Sequence, residues 1–322
     1  MLFLKGPDCD PEIAEALRFH AGQFRLTADH SYQIPGTEHG RRLVIFERLD
    51  TPSPKVFDLA STLSEHPGPV REVTSASNPA FKRCREILSG RGIRKQGLAL
   101  LAGPRPIAEV LQRFPDRAEA WITDLNGSPP PAEAPPALNW LRLSGPLFQE
   151  LDMAGTHAPL LLVRVPEMPE WSADAPWPVG CTLFIPFQDP ENVGAVLRTA
   201  AAFGVSRAVL LREAAHPFHP KAVRAAGPAL FQVPLFRGPS IQDLDSREIP
   251  LIPLDADGDD LDNAPWPDRF GLVPGLEGPG LPDRLRTRPR RRIPMAEGVE
   301  SLNAATATAI VLYAWSRRPK TP

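Results

Sequence analysis

The sequence predicts an α/β protein built around a parallel sheet, on three observations. Cys181 to Phe187 is a nearly unbroken apolar run, the composition of a buried strand. Asp189-Pro190 follows, an N-cap residue and a proline suited to the first helical position, and the helix it opens runs to Phe203 with Gly204 as its stop. Arg207 to Leu211 is the next strand. Strand, helix and strand thus fall within about 30 residues, the length of a crossover unit, whose strands must be parallel. Phe231 to Phe236, Ile249 to Leu254 and Phe270 to Val273 read as further strands. A closing helix is expected over Ser301 to Ser316, with Leu302, Ala305, Ala309, Leu312 and Tyr313 at helical spacing.

These elements occupy a segment at 176–318, and two others precede it. Residues 1–66 hold a short helix over Pro11 to Leu17 and a strand over Arg41 to Arg48, and end at prolines 52, 54, 67 and 69. They read as an extension of unknown role. Residues 70–165 alternate helix and strand. A helix opens at Asn78-Pro79 and runs through Phe81, Cys84, Ile87 and Leu88. A strand follows at Leu98 to Leu101, a helix at Pro106 to Leu111, and strands at Ala120 to Thr123 and Leu160 to Val165. Gly127 to Ala137, GSPPPAEAPPA, reads as an extended, mobile loop.

The 322 residues include 40 prolines, roughly twice the usual ~5%. The three cysteines are far apart with no CxxC pair, which argues against a zinc site or a disulfide framework and fits a reducing cytoplasm. No run approaches the ~18 apolar residues of a membrane span, and the N-terminus lacks a signal-peptide core. The formal charge of −2 argues mildly against a nucleic-acid partner, so any basic surface must be local. One candidate is Arg284 to Arg292, with six arginines in nine residues, among them Arg284, Arg286, Arg288 and Arg290. Such a run makes phosphate contacts without choosing sequence.

Three motifs carry chemistry. In Asp189 to Ala200 the stripe Val193, Val196, Leu197 and Ala200 faces inward, and Arg198 lies off it. Its guanidinium would pass over Gly194 and Ala195 toward the helix start, where Asn192 sits and free N–H groups favour an anion. The second motif, LVPGLEGPGL at 272–281, is a glycine loop directly after a strand, where backbone can approach a ligand closely. It is neither a GxGxxG fingerprint nor a P-loop. The third joins an apolar wall, Ile293-Pro294-Met295, to Ser301 and Asn303 at a helix start, either of which could cap that helix or clamp an adenosine-like ligand.

Together and in this order, NVGAVLRTAAAFG, LVPGLEGPGL and IPMAEGVESLN resemble the signature motifs of the SpoU (TrmH-like) RNA methyltransferases, over about residues 176–318. Thr74-Ser75, Asn78-Pro79, Gly103, Arg105 and Glu109 resemble more weakly the small α/β RNA-binding domain that often precedes the catalytic one. The resemblance implies a parallel sheet with helices on both faces whose end is threaded into a deep trefoil knot. It implies S-adenosylmethionine held by the knot loops, no metal, and two subunits pairing to complete each site. By position Gly275, Ile293 and Leu302 would line the cofactor pocket with Val273 and Met295 close by. Asn192, Arg198, Glu277, Ser301 and Asn303 match the family's functional polar residues. The chain departs from the pattern at Ala102, where a glutamate is usual, at Ala226 and Pro228, where Ser and Gly are common, and at Ala158-Pro159-Leu160.

The implied activity is methylation of a ribose 2′-hydroxyl in tRNA or rRNA. No base is obvious in the sequence. His216 and His219 lie near Lys221, but Pro217 and Pro220 beside them argue for a loop, and they read as solvated loop residues. Arginine, with its pKa above ~12, is a poor base, so Arg198 is expected to bind the phosphate beside the target ribose. The competing readings are a non-catalytic RNA-binding relative such as a ribosome-assembly factor, a resistance-conferring rRNA methylase with the same chemistry, and a nucleotide-binding dehydrogenase. The last lacks its glycine fingerprint.

Overall fold

The structure, a computed structural model, describes residues 2–5, 8–11, 13–14, 24–33, 37, 40–48, 68–245, 250–261, 265–276, 280–299 and 301–318. The chain forms two compact units, Met1–Glu65 and His66–Pro322. The first contains an antiparallel sheet of β1 (Leu2–Lys5), β2 (Phe24–Gln33) and β3 (Gly40–Arg48), in the order β1-β3-β2. Arg42 in its central strand reaches both Asp10 and Asp29. Most of the helix expected over Pro11–Leu17 lies outside the described residues.

The second unit holds two sheets. The smaller runs through β4 (Val70–Val73), α1 (Pro79–Glu86), α2 (Gly90–Gln96), β5 (Leu98–Ala102), α3 (Pro104–Arg113), β6 (Ala118–Asp124), β7 (Asn139–Leu143), α4 (Gly145–Leu151) and β8 (Leu160–Arg164), in the sheet order β4-β7-β6-β8-β5. β4, β7 and β6 are parallel, and β8 runs antiparallel to both β6 and β5. Sequence patterning missed α2, β7 and α4. α2 is one short turn pair set by its ends, with the Ser89 hydroxyl accepting from Gly92 N and Gly97 closing it in the left-handed region. The proline-rich segment 127–137 is not the loose loop its composition suggests. Trp121 Nε1 donates to Ser128 O, Ala134 N to Pro131 O, and Ala134 is buried.

The larger sheet comprises β9 (Gly180–Ile185), α5 (Pro190–Ala202), β10 (Arg207–Leu210), α6 (Pro220–Ala226), β11 (Leu235–Arg237), β12 (Leu251–Asp260), β13 (Arg269–Val273), α7 (Asp283–Arg286), β14 (Arg291–Arg292) and α8 (Ala304–Ser316). Its order is β11-β10-β9-β13-β12-β14 and every pairing is parallel. The expected crossover unit is therefore present, with Asp189 capping α5 and Gly204 at φ 69° beyond its end. The strand expected over Phe231–Phe236 shrinks to Leu235–Arg237. Gly227–Phe231 forms a 3-10 turn instead, and Pro234 supplies no N–H for a ladder.

Helical cover is uneven. α5 packs on α6 and α8, and α8 buries Val311, Leu312 and Trp315, each worth about 1.5–3 kcal/mol. The Trp315 ring meets Phe270 of β13 at 5.8 Å, which fixes α8 on that face. On the opposite face Phe184, Val209 and Val273 pack against Trp171, Trp177, Ile241 and Leu244, and among the described residues only the four-residue α7 contributes helix, through Leu285.

Candidate functional site

β12 and β13 run side by side as far as Pro253 opposite Val273; beyond that register residues 274–276 leave the sheet while β12 continues beside β14, at the C-terminal edge where open parallel sheets take ligands. A pocket of about 170 Å³ opens there. Leu254, Ile293, Met295 and Leu302 form its apolar wall, and Ser301, Asp255 and Arg292 supply polar groups. Three of the five residues expected to hold a cofactor therefore meet, together with Ser301. Val273 does not reach the pocket but is fully buried in the core beneath. Gly275 follows β13, and a Cβ placed there would make ordinary van der Waals contact with Gly280 and Leu281 at 3.7–3.8 Å. Glu277 lies outside the described residues. Asp255 and Leu254 were not singled out in the sequence. Their signal was the apolar run ending there, which marks where β12 parts from β13 and continues beside β14.

α5 and α8 bring the first and third motifs together. Asn303 caps α8 by accepting from Thr306 N at 3.1 Å, and its Nδ2 donates to Asn192 Oδ1 at 3.1 Å. One side chain thus satisfies a helix end and fixes its neighbour across 111 residues of chain.

Arg198 lies elsewhere. It is exposed on α5 about 9 Å along the axis from Asn192, and it does not line the pocket. Its guanidinium reaches the end of α6. Nη2 stands 3.4 Å from where a Cβ on Gly227 would sit, just beyond α6. Gly194 has another use, since a Cβ there would meet Ala222 O at 2.2 Å. The small residue lets α6 seat against α5.

The histidines also differ from the sequence reading. His216 is buried, its Nδ1 accepting from Phe218 N, and burial with the nearby charges of Arg94 and His219 lowers its pKa to about 4. His219 caps α6 by accepting from Lys221 N, and its pKa is lowered by burial and by Lys221. The prolines that suggested a loop in fact frame a helix start. Burial pushes the Cys84 thiol up to about 11 and Cys181 higher still, so neither is a ready nucleophile. Among the described residues no cluster of His, Cys, Asp and Glu is placed to hold a metal, and no helix is long and apolar enough to cross a membrane.

The arginine run is largely answered within the chain. Arg288 pairs with Asp245, Arg290 with Asp255, Arg291 with Asp259 and Arg292 with Asp260. Arg284 donates to Leu244 O, and Arg286 Nε to Leu281 O at the foot of the glycine loop. The run expected to meet RNA thus ties β14 and the glycine loop to their neighbours. Adjacency in sequence to the motifs had suggested contact with RNA, but β12 delivers three of the four aspartates, Asp255, Asp259 and Asp260, from 32 to 35 residues away.

An all-parallel sheet with a mixed apolar and polar pocket between β12, β14 and the segment before α8, beside two helices joined by an asparagine pair, defines an α/β protein with a small-ligand pocket at its C-terminal edge. The SpoU rRNA Methylase family model matches residues 183–313. A 23S rRNA (uridine(2479)-2′-O)-methyltransferase from Streptomyces viridochromogenes is 30% identical over 79% of this chain and 95% of its own length. The chain belongs to the SpoU rRNA methylase family. A protein named ribosomal RNA small subunit methyltransferase G 2, from Syntrophobacter fumaroxidans, is 48% identical over 98% of this chain. This chain spans between 44% and 62% of the length of the first curated relatives it matches, 62% in that case. The fold matches the crystal structure of the SpoU methyltransferase AviRb from Streptomyces viridochromogenes in complex with AdoMet, with a TM-score of 0.63, 24% identity, and cover of 74% of this chain and 97% of that one.

Proposed function

We propose that the chain methylates a ribose 2′-hydroxyl of tRNA or rRNA with S-adenosylmethionine as the donor. The observation that carries this is the pocket between β12, β14 and the start of α8. There an apolar slot of Leu254, Ile293, Met295 and Leu302 suits a purine, and Ser301 and Asp255 offer polar partners to a ribose or an amino acid group. Gly275, directly after β13, carries no side chain to block close approach of the same ligand. The cofactor supplies an already activated methyl group, so no metal is needed. The polar residues then bind, orient and hold charge. Asn192 and Asn303 fix the helix starts beside the pocket, Glu277 stands in the glycine loop, and Arg198 grips the phosphate next to the target ribose and lowers the cost of its developing alkoxide.

In this reading the loops after β12 and β13 and the segment leading to α8 are threaded as a trefoil knot, and two subunits form a homodimer. Arg198 lies apart from the pocket of its own chain, which fits a site completed by a second copy. The exposed Ile310 and Tyr313 of α8 offer an apolar face for that pairing. Residues 70–165 act as the RNA substrate domain, 176–318 as the methyltransferase domain, and 1–66 as an N-terminal extension, in a cytoplasmic protein. The test is calorimetric titration with S-adenosylhomocysteine of the wild type and of Gly275→Trp. Saturable binding that the variant loses is expected. A folded wild type that binds none, with and without RNA, would sink the catalytic reading in favour of a non-catalytic RNA-binding relative.

A further inference from the structure

We infer that RNA reaches Arg198 along a track of unpaired cations, Arg91, Arg94, Lys221 and Arg224, that passes from α2 to α6, and not over the arginine run at 284–292. The inference rests on the proposed function in naming RNA as the occupant.

The chain carries a formal charge of −2, yet residues 79–96 hold six cations, Lys82, Arg83, Arg85, Arg91, Arg94 and Lys95, against the single acid Glu86. All six are exposed. Lys95 pairs with Glu86 and Arg85 lies 3.8 Å from Glu150, whereas Lys82, Arg91 and Arg94 form no ion pair among the described residues. Nor do Lys221 and Arg224, which stand almost one turn apart on α6 and share a small pocket against Leu100 and Ala102 of the small sheet.

The two groups are physically continuous. A Cβ at Gly90 would stand 3.1 Å from His216 Cβ and 3.9 Å from Arg94 Nη1, so the start of α2 abuts the loop that leads into α6. Arg94, Arg212 and His216 line one crevice of about 670 Å³ at the C-terminal ends of β10 and β11. The charge of Arg94 is felt at His216, and that of Lys221 at His219. Beyond the other end of α6, Gly227 meets the guanidinium of Arg198.

The contrast with the opposite edge decides between the two basic regions. There Arg288, Arg290, Arg291 and Arg292 each face an aspartate, and binding a phosphate would mean giving that carboxylate up. β14 lies five strand spacings from β11, roughly 24 Å at ~4.8 Å each, so one short strand of RNA would not need both edges. Unpaired surface cations are the ones that exchange counterions for phosphate freely.

The test is fluorescence anisotropy of the full chain with a fluorescein-labelled single-stranded oligouridine, between about 50 and 200 mM salt. Replacing Arg91, Arg94 and Lys221 together by alanine should weaken binding at least tenfold at the lower salt. It should also lower the slope of log affinity against log salt by about 2, at ~0.7 per phosphate contact. The pair Arg288→Ala and Arg290→Ala should keep the wild-type slope. A triple variant that keeps the slope while the pair loses it overturns the track, as does a wild type without salt-dependent binding. S-adenosylhomocysteine calorimetry separates the readings. If the triple variant keeps cofactor binding, its lost RNA slope is not a folding defect. If even the wild type binds no cofactor but the slope falls as stated, the methylase reading fails and the track stands.

Discussion

The two edges of the large sheet use most of their cations differently, although Arg237 of β11 also meets a carboxylate, that of Glu170. At the β12–β14 edge the arginines are spent on aspartates of the same chain and on carbonyls of Leu244 and Leu281, so they hold β14 and the glycine loop in place. At the β10–β11 edge Lys221, Arg224 and Arg198 have no such partners among the described residues, and the cations of α2 adjoin them. A basic run in a sequence is thus only half an argument. Whether its charge is available depends on which carboxylates the fold brings to it, and those arrive from distant residues. The comparison also explains why helix packing is tight at the second edge, because a track of cations works only if the elements carrying it keep their spacing.

The largest effect expected at the unpaired edge is on turnover. Arg198→Ala should lower kcat for methyl transfer to RNA by about 100–1000-fold, the usual range for losing one donor to developing charge. Arg198→Lys should restore only part of it because the two-pronged grip is gone. Full activity in the lysine variant, read in single-turnover assays, would remove the bidentate role.

Next comes the buried histidine at the same edge. Burial first, then the charges of Arg94 and His219, hold His216 at about 4 against an ordinary 6.5. Between those values the unfolded chain binds the proton and the folded chain does not. The stability His216 contributes by staying neutral is therefore whole above about pH 6.5 and drains as pH falls toward 4, by at most about 3 kcal/mol. Urea midpoints of wild type and His216→Gln across that range should converge at the acid end. Parallel curves would mean that another group controls the loss.

Gly194→Ala tests the packing that positions α6. In an open helix the change would stabilise by about 0.5–1 kcal/mol. Here the new methyl meets Ala222 O at 2.2 Å, so overpacking of about 1–3 kcal/mol should win and the midpoint should fall. A rise would show that α5 and α6 part easily, and would weaken the claim of a fixed track.

The smallest effect belongs to the paired edge. Arg290 and Asp255 are both mostly shielded from solvent, yet they are not core residues, and Arg290→Ala should cost under about 1 kcal/mol in a denaturant titration. A much larger loss would make these pairs structural keystones. No loss of stability combined with a loss of RNA affinity would return the run to the RNA surface.

Much of this could be read in the chain before folding. Asp189-Pro190 and Gly204 bound a helix by local chemistry, and the apolar runs at 181–187 and 270–273 could only be buried strands, so the parallel crossover followed. The pocket wall at Ile293, Met295 and Leu302 was legible too, because an apolar triplet beside a polar helix start is itself a local pattern. What the sequence could not decide were the meetings of distant residues. Gly194 faces Ala222, Asn303 bonds Asn192, His216 disappears beneath α2, and four arginines find their aspartates. Propensity and periodicity act over a few residues, whereas burial and pairing depend on which surfaces the tertiary structure closes together, and that alone determined which charges were left without a carboxylate among the described residues.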